Sequence, residues 1–256
     1  GINCFEVVGR DPAIMDGVAQ ALQSVERRLV FITWRLGTYT TTDGLTRDFS
    51  GDGLTRQLCA ILARTGLDYL DVAMLDDPKS HELPQDALTA LGEIRSTGAA
   101  KMLGVAGEDD ALDAYITTGA FDVLACPFNL TSGWKERNRV RTAVERDLAV
   151  IGYRAYPETF HRQASAAAQT VAKPGTLAGA GSYAFLDRTP QWDAEEICLA
   201  YALTEPALAT VEIKPGALAR MEKLAAVADR EMPPGLAAQI EMARFAPGTA
   251  ALQQRA

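Results

Sequence analysis

GLDYLDVAMLDDP, from Gly66 to Pro78, is the stretch whose reading decides the fold. Gly66 closes the segment Leu54–Thr65, in which Leu54, Leu58, Ile61 and Leu62 recur at helical spacing. The apolar run that follows, Tyr69–Leu75, holds Leu70, Val72, Ala73, Met74 and Leu75. Such a run suits a strand covered on both faces, as in parallel α/β sheets. It stops on Asp76 and Asp77. Polar side chains at the C-terminal end of a parallel strand lie where ligands bind in these folds. The functional question therefore begins at these two aspartates.

Outward from that strand, helix and strand patterns alternate. Towards the N-terminus, Tyr39–Asp52 is polar and rich in Thr and Gly, and reads as a loop. Leu29–Trp34 reads as a strand, Pro12–Val25 as a helix with proline near its first position, and Ile2–Val8 as a strand. Towards the C-terminus come helix Leu83–Thr97, strand Lys101–Ala106, helix Ala111–Thr118 and strand Phe121–Cys126. Helix Ser132–Arg146 and strand Ala149–Tyr153 follow. Pro157–Pro190 breaks the rhythm as a long loop with room for one short helix, and loops of that length are often functional. Helix Ala194–Leu203, strand Ala207–Ile213 and helix Ala217–Asp229 complete the alternation, and helix Leu236–Phe245 leads into a fraying tail. No repeat or second domain is visible, so residues 1–256 read as one domain whose segment 230–256 is a C-terminal helix and tail.

The pattern counts seven strand–helix units. An eighth, ahead of a first residue that is Gly1 and not Met, would complete a closed eight-stranded barrel. The alternative, an open doubly wound sheet, usually carries a glycine fingerprint after its first strand, and FEVVGRDP is no such fingerprint. Gly179–Ala184 does fit GxGxxA, but the KPGTLA before it is no strand.

Composition narrows the function classes. A chain of 256 residues, 48% hydrophobic, suits one α/β domain with a substantial core. A net charge of −8 argues against a broad nucleic-acid-binding surface. Cys4, Cys59, Cys126 and Cys198 lie far apart and read as buried thiols of a reducing compartment. No apolar run is long enough to span a bilayer and no signal peptide is visible, so the expected location is the cytoplasm. No His/Cys/carboxylate spacing suggests a metal, and no GxSxG elbow suggests a serine hydrolase. His81 and His161 both read as solvated, although His161 could hang over the barrel mouth.

The motifs GINCFE (Gly1–Glu6), VFITWRLG (Val30–Gly37), GLDYLDVAMLDDP, LGEIRSTGAAKMLGVAG (Leu91–Gly107) and FDVLACPFNL (Phe121–Leu130) occur in that order. Together they resemble the aldo-keto reductases, from Gly1 to about Asp229. The resemblance implies an α/β fold, a (β/α)8 TIM barrel whose first βα unit is absent from this sequence. It further implies NADPH or NADH bound across the C-terminal mouth without a Rossmann motif.

The family's chemistry uses an Asp, a Tyr proton donor, a Lys that lowers the tyrosine's pKa, and a His. A carbonyl accepting hydride develops negative charge on oxygen, so a nearby acid must deliver a proton. On this chain the Asp position falls on Glu6, the Tyr near Arg10 and Asp11, the Lys on Arg35 and the His on Asp76. None matches. An arginine is a planar, permanently charged fork and does not reproduce the compact ammonium of lysine. Asp76 would put an anion where an oxyanion should form. A purely structural account also stands, in which Glu6, Arg35 and Asp76 neutralise one another as an ion-pair cluster.

Cofactor positions are matched unevenly. Ala106-Gly107 stands where the family's Ser-Asn grips the carboxamide, and Ala125 replaces its Gln. Tyr153 matches the aromatic that stacks on the nicotinamide, and Phe128-Asn129 matches a Tyr-Asn pair of many members. In KPGALAR, Lys214 and Arg220 match the Lys and Arg around the adenosine phosphate, while Pro215 and Leu224 replace a Ser and an Asn. The resemblance thus assigns Asn129, Tyr153, Lys214 and Arg220 to cofactor binding, with NAD(P)(H) as the ligand.

Three functions stay open. The first is a non-catalytic or weakly active NAD(P)-binding regulator, with a dinucleotide or small molecule at the mouth and a protein partner as its readout. Repurposed relatives exist, among them the KidO-type cell-division regulators of bacteria, and no motif here singles that type out. The second is a divergent oxidoreductase acting on a carbonyl or alcohol, in which Glu6, Asp11 or a residue from the absent start donates the proton. The third is a cofactor-independent lyase or epimerase built on the Glu6, Asp76 and Asp77 carboxylates, which can divide acid and base roles when their environments differ.

Overall fold

The computed structural model describes residues 2–41, 44–160 and 181–244. The chain groups into two compact units, Gly1–Ala125 with Glu145–Ala149, and Cys126–Val144 with Val150–Ala256.

In the first unit, the parallel strands β1 (Cys4–Val7), β2 (Phe31–Leu36), β5 (Leu70–Asp76), β6 (Ala100–Ala106) and β7 (Val123–Pro127) lie side by side in chain order. Helices α1 (Pro12–Leu22), α2 (Gly51–Thr65), α3 (Gln85–Ser96) and α4 (Ala111–Ile116) connect them. A doubly wound sheet would reverse its strand order at a switch point, and this one does not. β5 is buried over its whole length until Asp76, including Asp71, whose carboxylate pairs with Arg27 and Lys101. Ser50 starts α2 by accepting a hydrogen bond from Gly53 N at 3.1 Å, and Gly66 ends it in the left-handed conformation at φ 72°.

The registers Glu6↔Thr33, Arg35↔Met74, Asp76↔Ala106 and Ala106↔Ala125 set one face of this sheet. Because strand side chains alternate, Glu6, Thr33, Arg35, Met74, Asp76, Ala106 and Ala125 all share it. Gly104 belongs to the same face, where an added Cβ would stand 2.7 Å from Met74 Sδ and 2.9 Å from Val72 Cγ1. That close approach leaves room only for hydrogen.

In the second unit, β8 (Ala149–Tyr153) pairs in parallel with β9 (Thr210–Val211). The backbone N–H of Phe128, just beyond β7, donates to Tyr153 O at 2.9 Å. Helices α5 (Trp134–Glu145), α6 (Ala194–Leu203), α7 (Leu218–Ala225) and α8 (Leu236–Arg244) complete this unit. Its core gathers Leu130, Phe160, Tyr183, Leu186, Ile197, Cys198 and Ile240. Among the described residues the parallel strands number seven, five in the first unit and two in the second, as the α/β reading expects.

Several expectations change. Tyr39–Asp52 is no simple loop: it holds the antiparallel strands β3 (Thr38–Thr41) and β4 (Gly44–Arg47), and the first turn of α2. Its β-branched and aromatic residues pair across the ladder, which outweighs the polarity that suggested a loop. The strand expected over Ala207–Ile213 shrinks to Thr210–Val211, and α7 tightens into a 3-10 turn over Ala226–Asp229. Of Pro157–Pro190, residues 161–180 lie outside the described ones, so His161 and the start of the GxGxxA match do too. Gly181–Arg188 is a 3-10 helix. None of the four cysteines forms a disulfide among the described residues, and only Cys126 and Cys198 are buried, while Cys4 is half-buried and Cys59 exposed. Among the described residues no helix is long and apolar enough to cross a membrane.

Candidate functional site

Three strand ends in the first unit converge on one guanidinium. Arg35 Nε donates to Glu6 Oε1 at 2.7 Å and Arg35 Nη1 to Asp76 Oδ1 at 2.9 Å. The side chains of Arg35, Glu6 and Asp76 keep only 14%, 9% and 18% of their exposure. β1 and β5 flank β2, and the shared face turns both carboxylates towards the planar fork of arginine. Thr33, two residues before Arg35 on that face, is 1% exposed, and its Oγ1 has no hydrogen-bond partner among the described residues. The sequence-predicted residues Glu6, Arg35 and Asp76 are therefore brought together. Chemically, a guanidinium holds its proton at neutral pH, and here it is shared between two carboxylates. An oxyanion developing beside Asp76 would be opposed by it.

The neighbouring rim offers little to an amide ligand. Ala106 and Ala125 present methyl groups, and Gly107 N is already spent on Ala125 O at 3.1 Å. Asp77 adopts φ 54°, and its side chain turns towards Gly107, where a Cβ would lie 3.0 Å from Asp77 Oδ1. Lys79 Nζ bridges Asp77 at 2.7 Å and Asp109 at 2.8 Å. His81 is exposed in the turn beyond Pro78.

The β3–β4 hairpin is latched to the end of β5, which sequence reasoning did not foresee. Thr38 Oγ1 donates to Asp76 O at 3.2 Å, and Arg47 Nη2 donates to Asp77 O at 2.7 Å. Arg47 also forks onto Glu82 at 2.8 and 2.6 Å. At the hairpin's other strand, the Arg10 guanidinium lies 3.6 Å from the Tyr39 ring centroid. The Arg47 hydrogen bond pulls the Glu82 carboxyl from its ordinary 4.5 down to about 2. A carboxylate whose pKa falls on folding stabilises the fold above its unfolded value and loses that contribution as pH drops through the folded one. Glu82→Gln is therefore expected to be less stable than the parent above about pH 4.5. The gap should stay near 1 kcal/mol because the pair is partly exposed, and should close as pH falls towards 2. Melting curves of both proteins between pH 7 and 2 read this directly. A gap that persists unchanged at pH 2 would mean that Glu82 acts through packing.

The four residues assigned to cofactor binding lie in the second unit. Asn129 is occupied as a turn brace: its Nδ2 donates to Arg154 O at 3.1 Å, and its Oδ1 accepts from Thr131 N at 2.9 Å and Thr131 Oγ1 at 2.7 Å. Tyr153 ends β8 only 9% exposed, with the Arg154 guanidinium 5.9 Å from its ring centroid. Lys214 is exposed just after β9. Arg220, on α7, donates from Nε to Glu195 Oε2 at 3.1 Å and from Nη2 to Glu195 Oε1. Lys223 pairs with Asp193, and Arg230 Nη1 with Glu196 Oε1 at 2.7 Å. Asp193 and Glu196 form the capping box of α6, each side chain accepting from the other's backbone N–H at 2.8 Å. Leu224 is 4% exposed and packs inward, so that position serves the core. Of these four residues, Tyr153 is buried, Asn129 braces a turn, Arg220 is paired with Glu195 and Lys214 is exposed. Ala106, Gly107 and Ala125, where the resemblance expects the groups that grip a carboxamide, offer no side-chain hydrogen-bonding group.

A family model described as the aldo/keto reductase family matches residues 15–244. No curated protein matches the sequence significantly. Among solved structures, the holo form of aldo-keto reductase AKR11C1 from Bacillus halodurans superposes with a TM-score of 0.77 at 14% identity, over 95% of this chain and 83% of its own. An aldo-keto reductase from Klebsiella pneumoniae in complex with NADPH gives 0.71 at 16% identity, over 97% and 82%. A thermostable aldo-keto reductase, Tm1743, in complex with the inhibitor epalrestat, gives 0.64 at 17% identity, over 90% and 77%. With the family model covering nearly the whole chain and the strand order of its first unit free of any reversal, this chain belongs to the aldo/keto reductase family.

Proposed function

We propose that this chain is a family member in which the reducing tetrad has been replaced, and that it serves as a non-catalytic or weakly active NAD(P)-binding regulator. The observation that carries this reading is Arg35 bridging Glu6 and Asp76 at the strand ends. A cation held between two carboxylates on a buried face supplies neither a proton donor nor a home for an oxyanion. Hydride chemistry is what the nicotinamide supplies when bound, but the residues that would orient its carboxamide are absent. What remains at the adenosine end, Lys214 and Arg220, supports recognition led by that end, with Tyr153 left at the nicotinamide position.

Binding is therefore expected to be nearly indifferent to redox state. NAD and NADH should differ by about threefold or less, under 1 kcal/mol. The adenosine fragment 5′-AMP should retain most of the dinucleotide's affinity. Quenching of the native tryptophans, titrated with NAD, NADH and 5′-AMP, measures all three. Absence of binding at millimolar concentrations of each would overturn the cofactor reading and return attention to the carboxylates. Tight NADH binding without 5′-AMP binding would show a nicotinamide pocket built from other residues.

A further inference from the structure

The β3–β4 ribbon has a fixed foot and reaches both neighbours of the strand it leaves. At the foot, Gly37 N donates to Gln57 Oε1 at 2.9 Å, Gln57 Nε2 to Asp48 O at 3.0 Å, and Asp48 N to Gly37 O at 2.8 Å. Gln57 is buried, and the Phe49 ring lies where a Cβ on Gly37 would stand, with Gly37 at φ 94°. The foot is therefore pinned to α2. Beyond it, the described residues of the two strands pair only with each other, and a two-stranded ribbon is marginal by itself. Side-chain contacts set where it lies. Thr38 and its register partner Arg47 share one face of the ribbon and bond the end of β5 through Asp76 O and Asp77 O. Tyr39, on the opposite face, stacks with Arg10 beyond β1. The buried Trp34 Nε1 ties that exit to β2 by donating to Gly9 O at 2.8 Å.

β2 lies between β1 and β5, and Arg35 near its end reaches the same two neighbours through Glu6 and Asp76. The guanidinium and the ribbon thus span the same three strand ends. From that coincidence we infer that the hairpin is a strap across the Glu6–Arg35–Asp76 cluster, latched by Arg47, and that solvent or a ligand reaches Arg35 when the strap lifts from its foot. Arg47 suits the role because one side chain joins the ribbon to two points after β5, the Asp77 carbonyl and the Glu82 carboxylate. Releasing it leaves the Gln57 clamp whole, so the ribbon moves while the sheet beneath stays folded. The strap concerns the cluster alone and stands whether or not a dinucleotide binds.

The Arg35 Nε proton, directed at Glu6, reports solvent access at the cluster itself. Nitrogen-15 labelling of arginine in the full chain makes its exchange with water measurable by NMR. Arg47→Ala is expected to speed that exchange about tenfold, together with the hairpin amides, while amides within β5 keep the parent rate. Tyr39→Leu, which removes the ring from Arg10 and leaves Arg47 in place, should act in the same direction and less strongly. Should Arg47→Ala fail to fold, Tyr39→Leu decides by the same pattern. Faster hairpin amides beside an unchanged Arg35 proton would show that the ribbon does not cover the cluster. Equal acceleration in β5 would show that Arg47 supports the whole unit and latches nothing. Unchanged exchange throughout would remove Arg47 from its assigned role. Each of these three results overturns the inference.

Discussion

With NADPH as reductant, a panel of aliphatic and aromatic aldehydes is expected to turn over about 10²–10⁴-fold more slowly than with a reductase that keeps a positioned proton donor. The size follows from one missing function. Hydride arriving at a carbonyl carbon leaves charge on oxygen, and a general acid within hydrogen-bond reach has to meet it. Arg35 cannot serve at neutral pH, since a guanidinium does not release its proton. Glu6 and Asp76 are both engaged by Arg35, at 2.7 and 2.9 Å, as acceptors. Any residual rate would come from binding alone, and Arg35→Lys should not restore it, because Arg10 and Asp11 stand where the resemblance expects the tyrosine donor. Spectrophotometric loss of NADPH absorbance is the measurement. Robust steady-state reduction across the panel would sink the regulator reading and promote the divergent oxidoreductase, with a proton donor other than those three.

Removing the cation should cost more stability than any other single change at the strand ends. Arg35→Ala leaves the Glu6 and Asp76 carboxylates facing each other with little access to water, their side chains only 9% and 18% exposed. Breaking a buried pair on one side typically costs about 3–5 kcal/mol, more than the pair itself contributes. The triple variant Glu6→Gln, Arg35→Met, Asp76→Asn should lose less than Arg35→Ala, because it removes the desolvated charges along with their partner. Urea unfolding of the two proteins distinguishes the cases. If Arg35→Ala is as stable as the parent, the carboxylates are well solvated and the cluster is held for a ligand, which would favour the acid/base enzyme over the regulator.

Much of this architecture is legible along the chain. The largely apolar run of β5, the glycine ending α2 and the alternation of periods on either side depend on neighbours a few residues away, and local spacing reports them faithfully. The residues Glu6, Arg35 and Asp76 at the strand ends are likewise readable along the chain, and the resemblance is what sets them at the family's tetrad positions. The polar character of Tyr39–Asp52 misled because turn-forming residues and a β-ladder compete there, and cross-strand pairing wins.

Only the tertiary structure decides what the charges do. Arg35 finds partners 29 and 41 positions away, and whether it meets them depends on parallel register across two helical crossovers. Arg47 reaches Glu82 across 35 positions to latch a hairpin that local propensity did not suggest. Arg220 looks like a free phosphate ligand in sequence and is claimed by Glu195 in space, 25 positions earlier. Leu224 looks like a lost polar contact and turns out to be core. Periodicity records which face is buried, but a charge's partner is set by the three-dimensional approach of elements that the chain separates.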